Sequence, residues 1–330
     1  MNLGTTRNVL AVDIGGSKLM AGIADAGGNI LCRVKQPLKP DITGEHIISI
    51  IMETVDLIRN RNPGAWEAVD CVGMTIPGLA DHEKGIWVYA CFSKIRDLPI
   101  ARIISYELNI PVFIENDVNA CALGEKMYGS CKGVNDFIWM TISNGVGGAL
   151  VLNGELYRGA YLNAGEIGHF NVMEGGYECG CGNKGCLEAY AAGPAIVRRY
   201  LERVKPVLTP GPGVNAGIKL PVSEPGITAE KIAQAAEDGD EVSREVFNET
   251  GYYLGKALSY AINLVNPEKV ILGGGVSMSM HLFYEKLIKT INDMVFLEAN
   301  KNIIIEKTAL GYEAALIGAA AVGRKGMERI

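Results

Sequence analysis

The stretch EIGHFNVMEGGYECGCGNKGCLE, residues 166–188, places three cysteines and a histidine in one glycine-rich loop. Glycines between the thiols let the backbone bend tightly around a single point. Three thiolates and one imidazole form a complete tetrahedral ligand set for Zn²⁺, and a complete set leaves no open position for a reacting water. The spacing therefore predicts a structural Zn²⁺ site with the ligands His169, Cys179, Cys181 and Cys186.

A disulfide with spare thiols is the alternative for this loop. Cys179 and Cys181 are too close in sequence for an ordinary disulfide, and nothing else in the chain indicates secretion. The other cysteines lie in mostly apolar segments and are expected to be small core residues of a protein in a reducing cytoplasm. They are Cys32, Cys71, Cys91, Cys121 and Cys131.

Two carboxylates, Glu166 and Glu188, lie at the two ends of the loop. A metal that closes the loop would fix the distance between them, and carboxylates held in this way suit recognition of a polyol, because they accept hydrogen bonds from its hydroxyls. The alternative is a pair of ordinary surface charges, and the loop alone leaves that question open.

The length and charge of the chain narrow the class of protein. Its 330 residues suffice for two domains, and 48% hydrophobic with 21% charged residues is a globular composition. The net charge of −6 argues against nucleic acid as the main partner. No apolar run approaches the roughly 18 residues of a membrane span, and the start MNLGTTRN lacks the apolar core of a signal peptide. We therefore expect a cytoplasmic protein with no membrane partner.

The order of the apolar segments predicts an α/β fold made of two related halves. The strand NVLAVDI at 8–14 ends in the glycine turn GGSK and returns through a second strand. The strand FIWMTIS at 137–143 ends in NGVGG and returns through ALVLNG in the same way. Two copies of one pattern, about one domain apart, indicate an internal duplication.

Helical spacing predicts helices at 44–62 and 241–265 and a last helix from 313. The segment around Trp87 and Phe92 is expected to be a loop, and so is the segment 205–226, which is rich in proline and glycine.

Three glycine turns follow apolar strands, at GGSK, NGVGG and GGGVS. Such turns expose backbone N–H groups that can surround phosphate oxygens. None of them matches the Walker A pattern, and G-x-G-x-x-G with an acidic residue about 20 positions later is also absent. The turns therefore indicate a nucleotide held between two domains, outside the P-loop and Rossmann classes.

Six motifs together resemble the ROK family (repressors, open reading frames and sugar kinases), in its kinase branch. They are DIGGSK at 13–18, ENDVNA at 115–120, ISNGVGGA at 142–149, EIGH at 166–169, CGCGNKGCLEAY at 179–190 and LGGGVS at 272–277. The resemblance covers nearly the whole chain. It implies the actin-like ATPase (RNase H-like) fold, with two duplicated α/β domains and a cleft between them. The expected N-terminal domain is 1–118 with 308–330, and the expected C-terminal domain is 119–307.

The same resemblance implies a site for ATP, Mg²⁺ and a small-molecule sugar. Asp117 would be the general base, and His169 would contact sugar with one ring nitrogen and Zn²⁺ with the other. The implied sugar-binding residues are Gly78, Asn116, Asp117, Glu166, His169 and Glu188. The implied residues for Mg-ATP are Asp13, Gly15, Gly16, Ser17, Lys18, Ser143, Asn144, Gly145, Gly147, Gly148, Gly274 and Gly275.

The chain departs from the usual family pattern at two positions. Ser17 stands where threonine is usual and keeps a hydroxyl, whereas Asn144 stands where threonine is common and loses one. Because backbone N–H groups carry most phosphate contacts, we expect the site to tolerate both changes. For Asp117, the position between a strand and a helix also suits a simple N-cap.

The activity implied is transfer of the γ-phosphate of ATP to the 6-hydroxyl of a hexose, with glucose as the first candidate. N-acetylmannosamine, N-acetylglucosamine and fructose are the alternatives, and a homodimer or homotetramer is expected. A sugar-responsive repressor is the competing class, but Asp13 lies only twelve residues from the start, which leaves no room for a helix-turn-helix domain. Acetate-type kinases and chaperones of the actin-like class do not account for His169 and the three cysteines.

Overall fold

The computed structural model describes residues 7–90, 93–204, 226–296 and 303–329. Its first sheet forms around β1 (Asn8–Ile14), which is buried along its whole length. β1 pairs antiparallel with β2 (Lys18–Ala24), and β2 pairs antiparallel with β3 (Ile30–Pro37). On the other side, β1 pairs in parallel with β4 (Val69–Ile76), which pairs in parallel with β8 (Val112–Asn116). The strand order is β3-β2-β1-β4-β8.

The second five-stranded sheet repeats this order. Its strands are β9 (Phe137–Ile142), β10 (Val146–Leu152), β11 (Glu155–Tyr157), β12 (Lys269–Gly273) and β13 (Ile304–Lys307), in the order β11-β10-β9-β12-β13. In each sheet the first strand lies in the centre, the next two strands lie on one side, and the last two lie on the other. This shared topology confirms the duplication that the two hairpin patterns predicted.

A small antiparallel sheet lies where the sequence predicted a loop. It contains β5 (Leu79–Asp81), β6 (Ile86–Tyr89) and β7 (Arg96–Leu98). Trp87 is completely buried, and its indole N–H donates to the carbonyl of Pro77 at 3.0 Å. The loop prediction was wrong here because strands of three or four residues are too short to show an alternating pattern. Cys91 and Phe92 lie outside the described residues.

The helices are α1 (Gly44–Arg61), α2 (Pro63–Glu67), α3 (Ile100–Leu108), α4 (Asp117–Met127), α5 (Glu188–Ala191), α6 (Gly193–Val204), α7 (Ala229–Glu237), α8 (Glu241–Val265), α9 (Tyr284–Met294) and α10 (Ala314–Met327). Short 3₁₀ segments lie at Ile167–His169, Gly275–Leu282 and Gly311–Glu313. The predicted helices at 44–62, at 241–265 and from 313 are confirmed within a residue or two. Residues 205–225, most of the predicted loop, are outside the described part of the chain.

Both faces of the first sheet are covered by helices, which explains why β1 is buried throughout and mostly apolar. Leu10 and Val12 face a core that includes residues of α1 and α3. Val9 and Ala11 face the opposite way and pack with Leu316 of α10. None of the helices described is long and apolar enough to cross a membrane.

The described residues belong to two compact units. The first draws on Met1–Trp139, Ala149–Ala164 and Thr308–Ile330, and the second on Met140–Gly148 and Gly165–Lys307. The first unit includes α4 because this helix packs closely against α10. The sequence-based division placed α4 in the other domain, and that division stays a prediction.

Glu125 of α4 is a buried acceptor that connects three segments of the first unit. Its side chain is fully buried and accepts hydrogen bonds from the Thr308 hydroxyl at 2.6 Å, the Ser130 N–H at 2.9 Å and the Ala309 N–H at 3.2 Å. Its removal would leave several buried donors without an acceptor, and each of these costs about 1–3 kcal/mol.

We therefore expect Glu125→Ala to lower the free energy of unfolding by roughly 3–5 kcal/mol. Urea denaturation with a two-state fit measures the change. The control is Glu53→Ala at an exposed position of α1, where a substitution should stay within about 0.5 kcal/mol of the parent protein. Equal stability of the two variants would contradict the role assigned to Glu125.

Candidate functional site

The first glycine turn joins β1 to β2 through Gly15, Gly16 and Ser17. The Gly15 N–H donates to the carbonyl of Lys18 at 2.9 Å, while Gly16 and Ser17 are exposed. The ammonium of Lys18 donates to the hydroxyl of Tyr312 at 2.7 Å. Tyr312 was not predicted from the sequence, because its contact with Lys18 spans most of the chain.

Asp13 lies at the end of β1 and is only 8% exposed. It accepts a hydrogen bond from the Thr75 hydroxyl at 2.7 Å, which the parallel register of β1 and β4 places opposite it. Burial raises the pKa of Asp13, while the Thr75 hydrogen bond and the positive charge of Lys18 oppose that rise. Thr75 is a second site residue that the sequence did not reveal.

Asn116 organises the junction between β8 and α4. It is the N-cap of α4, with its amide oxygen accepting from the N–H groups of Val118 at 2.9 Å and Asn119 at 3.1 Å. Its amide NH₂ donates to the carbonyl of Gly78 and to the carboxylate of Asp117, each at 3.0 Å. The N-cap function considered for Asp117 thus belongs to Asn116. The sugar-binding role of Asn116 stays a prediction.

Asp117 is the first residue of α4 and is half-buried. Its carboxylate accepts from Asn116 and from the N–H of Val118 at 3.0 Å. Burial, and then the negative charge of Asp13, raise the pKa of Asp117 to about 7. A carboxyl that ionises near neutral pH matches what general base catalysis requires.

The second glycine turn joins β9 to β10. The Ser143 N–H donates to the carbonyl of Gly145 at 2.8 Å, and Asn144 is exposed at the tip. Gly147 and Gly148 follow within β10. The carboxylate of Glu188 accepts from the N–H of Val146 at 3.0 Å, so this predicted sugar-binding residue touches the turn directly. Glu188 is therefore more than an isolated surface charge.

The third glycine turn follows β12, and Gly274 precedes the 3₁₀ segment that starts at Gly275. Gly274 has φ of +83°, and a Cβ atom there would lie 2.4 Å from the carbonyl oxygen of Ile142. Only glycine fits both conditions without strain. The third turn thus packs against the end of β9.

The loop between residues 166 and 188 brings the four predicted metal ligands together. The ligand atoms of His169, Cys179, Cys181 and Cys186 all lie within 4.8 Å of one another. Cys181 and Cys186 have their sulfurs 3.7 Å apart, which is too long for a disulfide. This separation fits two thiolates on a tetrahedral Zn²⁺, because Zn–S bonds of about 2.3 Å place the sulfurs about 3.8 Å apart.

The two ring nitrogens of His169 face different groups. Nδ1 lies 3.7 Å from the sulfur of Cys179, and Nε2 lies 3.7 Å from a carboxylate oxygen of Glu166. Burial raises the pKa of Glu166, the charge of Glu188 adds to the rise, and His169 opposes it. The arrangement leaves Nδ1 for a metal and directs Nε2 toward the carboxylate.

Aromatic residues hold this loop on α6 and α8. The Tyr190 hydroxyl accepts from the N–H of Tyr177 at 3.0 Å, and their rings lie 5.0 Å apart. Arg198 of α6 lies 3.8 Å from the centre of the Tyr177 ring. Lys256 of α8 donates to the carbonyl of Val172 at 2.8 Å. Arg198 and Lys256 lie outside the motifs that the sequence analysis singled out.

Gly168 allows the turn that carries Glu166 and His169 to approach β10. A Cβ atom at Gly168 would lie 1.9 Å from the carbonyl oxygen of Val146. We expect Gly168→Ala to lower the free energy of unfolding by roughly 1–3 kcal/mol, because the backbone must move apart.

Gly180→Ala is the matched control in the same loop, since no heavy atom lies within 4 Å of a Cβ atom there. We expect its thermal stability to equal that of the parent protein. Differential scanning calorimetry of both variants measures the contrast, and an unchanged Gly168→Ala protein would refute the close approach.

Comparison with known proteins agrees with the motifs. The ROK family profile matches residues 9–325. A glucokinase of Streptomyces coelicolor is 31% identical over 321 residues, covering 96% of this chain and 97% of that protein. A xylose repressor of Caldicellulosiruptor bescii is 29% identical, covering 96% of this chain and 77% of that protein.

The crystal structure of a ROK family glucokinase from Streptomyces griseus, in complex with glucose and AMPPNP, matches with a TM-score of 0.80 and 32% identity over 97% of this chain and 100% of that one. The predicted α/β architecture is therefore confirmed as the actin-like ATPase fold of these kinases. The chain belongs to the ROK family.

Proposed function

We propose that this protein is an ATP-dependent sugar kinase that transfers the γ-phosphate of ATP to the 6-hydroxyl of a hexose, with glucose as the first candidate. The observation that carries this proposal is Asp117, a half-buried carboxyl with a pKa of about 7 at the start of a helix. A carboxyl with this pKa accepts a proton at neutral pH, and phosphoryl transfer to a sugar needs one such acceptor.

In the proposed reaction, Asp117 takes the proton of the attacking sugar hydroxyl. The sugar oxygen forms a bond to the γ-phosphorus as the bond between that phosphorus and the bridging oxygen of ADP breaks. Asn116 holds the Asp117 carboxylate in place through its amide NH₂ at 3.0 Å. Because the transition state is loose, positioning contributes more than early deprotonation.

The sugar would lie against Glu166, His169 and Glu188. Their carboxylate and imidazole groups can accept and donate hydrogen bonds to several hydroxyls at once. The glucokinase similarity supports glucose, while N-acetylmannosamine, N-acetylglucosamine and fructose remain candidates for the same hydroxyl-binding groups.

The nucleotide would lie against the three glycine turns, with Lys18 near its phosphates. Asp13 would hold Mg²⁺, because a divalent cation beside it would offset the cost of burying its charge and would reduce the negative charge that helps to raise the pKa of Asp117. When bound, Mg²⁺ neutralises charge on the phosphate oxygens.

Zn²⁺ would have a structural role. His169, Cys179, Cys181 and Cys186 supply four ligands, which fill a tetrahedral site. Zn²⁺ bound there would join the two ends of the loop and hold His169 beside Glu166.

A sugar-responsive regulator is the second candidate, because a xylose repressor covers 96% of this chain. Such a protein would bind sugar through the same groups without turnover. Its DNA contacts would need a basic surface, whereas this chain carries a net charge of −6.

A coupled assay of ADP release across a panel of hexoses and N-acetylhexosamines tests the proposal. We expect turnover with at least one hexose, dependence on Mg²⁺, and a 6-phosphorylated product by mass spectrometry and NMR. Sugar binding by calorimetry without ADP release on any sugar would favour the regulator instead.

A further inference from the structure

We propose that Glu115 and Arg158 are positioning residues that orient Asp117 for its reaction. Neither residue was assigned a role from the sequence, and neither is placed to touch substrate in the proposed site. The inference rests on the proposed kinase function, because it concerns the base of that reaction.

Glu115 is a buried carboxylate next to the capping residue of α4. It is only 3% exposed at the end of β8. One of its oxygens, Oε1, accepts from the backbone N–H of Asn116 and from the side-chain amide of Asn119, each at 3.1 Å. This oxygen therefore ties the end of the strand to the first turn of the helix.

The hydrogen bonds continue from Asn116 to the catalytic carboxylate. Asn116 caps α4 through its amide oxygen and donates to Asp117 through its amide NH₂. A rotation of the Asn116 backbone would turn this donor away from Asp117. Glu115 prevents that rotation, because it accepts the Asn116 N–H.

Arg158 fixes the other oxygen of Glu115. Its Nε and Nη2 atoms lie 2.8 and 2.6 Å from Oε2 of Glu115, and its side chain is 16% exposed. Two charge-assisted hydrogen bonds to one oxygen stop the carboxylate from turning. Buried ion pairs add little net stability compared with apolar residues of the same size, so the geometry points to orientation as their main effect.

A small cavity of about 30 Å³ lies beside this ion pair and gives access to it. Arg158 and Glu115 both line the cavity, together with His82, Lys325 and Arg329. Truncation of Arg158 would extend the cavity toward Oε2 of Glu115. A small guanidinium compound could then take the place of the lost side chain.

Steady-state kinetics of Arg158→Lys and Glu115→Gln test the inference. Lysine keeps the charge but loses the planar fork, and glutamine keeps the shape but loses the charge. We expect kcat to fall by roughly 10- to 100-fold, since small displacements of a reacting group have effects of this size. The KM values for ATP and sugar should change by less than about threefold, because the proposed contacts of Glu166, His169 and Glu188 with sugar are unchanged.

Chemical rescue provides the second measurement. Arg158→Ala should recover at least about tenfold in kcat with millimolar ethylguanidine, which replaces the missing guanidinium, and not with equal sodium chloride. The matched control is Glu249→Gln, which weakens the ion pair at 3.0 Å between the exposed Glu249 and the buried guanidinium of Arg199. We expect that variant to keep its kcat, which separates a lost ion pair from a misplaced base.

Each outcome distinguishes this inference from the proposed function. If Asp117→Asn is inactive while Arg158→Lys and Glu115→Gln keep the parent kcat, the positioning role is overturned and the kinase proposal stands. If both variants change only KM, or if their kcat falls no further than that of Glu249→Gln, the ion pair between Glu115 and Arg158 is structural. The inference is then also overturned. If the parent protein phosphorylates no sugar, the proposed function is refuted, and the inference that rests on it is refuted as well.

Discussion

Asp117→Asn should leave ATP binding nearly intact while turnover falls by roughly 10²- to 10⁴-fold. The amide has the size of the carboxylate, and its oxygen can still accept from Asn116 and Val118. It cannot take a proton from the sugar hydroxyl. The loss should lie toward the lower end, because a loose transition state demands little deprotonation before the phosphoryl group leaves ATP.

The pH dependence of kcat/KM, compared between the parent protein and Asp117→Asn, tests the role of Asp117 more directly than turnover at a single pH. The raised pKa of about 7 means that Asp117 becomes ionised as pH rises from 6 to 8. We expect kcat/KM to rise through this range and to level off above it, and we expect Asp117→Asn to lack this rise. Turnover by the asparagine variant at the parent rate would reject Asp117 as the base.

The stability of the parent protein should fall as pH rises, whereas kcat/KM should increase. A folded pKa above the ordinary value means that the folded protein binds the proton more tightly than the unfolded chain does. The parent protein therefore loses stability as pH rises from about 4 to 7, whereas the asparagine variant lacks this loss. Above pH 7 the variant should be at least as stable as the parent, since Asn116 and not residue 117 caps the helix. Thermal denaturation at pH 5 and 8 measures the difference.

Glu166→Gln is the control at a residue that is expected to bind sugar. Its carboxylate lies beside His169 and is expected to bind sugar rather than to react. We expect a higher KM for sugar with kcat changed less than in Asp117→Asn, because a binding contact is lost in both ground and transition states. One preparation of each variant, assayed together, separates binding from chemistry.

The features predicted from the sequence depend on short-range patterns. The hairpin β1–β2 and the loop from 166 to 188 each lie within a few tens of residues, so turn glycines and ligand spacing could be read directly. Thr75 could not be found in this way, because it faces Asp13 only through the parallel register of β1 and β4. The contact of Tyr312 with Lys18 could not be predicted either, because 294 positions separate the two residues in the sequence.

The sequence also could not show which residue caps the N-terminus of α4. Two adjacent polar residues, Asn116 and Asp117, follow β8, and either type can cap a helix. The choice depends on the backbone: Asn116 keeps extended angles, while Asp117 has already entered the helix. This single step assigns the cap to Asn116 and leaves Asp117 for the catalytic role that we propose for it.

Cys181→Ala should lose the metal, stability and sugar binding together. Cys181 is exposed, so its truncation removes little apolar packing, and a loss of stability reports the metal. A ligand present at about a thousand times its dissociation constant stabilises a protein by about 4 kcal/mol, and we expect a loss of that order. Sugar affinity should fall because His169 would no longer be held beside Glu166. Elemental analysis, urea denaturation and calorimetry with sugar measure the three effects.

Cys32→Ala is the matched control, because this half-buried free cysteine lies in β3 and outside the ligand cluster. It should retain one Zn²⁺ per chain and the parent affinity for sugar. A strong chelator should bring the parent protein to the stability of Cys181→Ala and leave Cys181→Ala unchanged, since metal binding contributes directly to folding. If Cys181→Ala instead keeps one Zn²⁺ per chain and its stability, the four-ligand site is wrong.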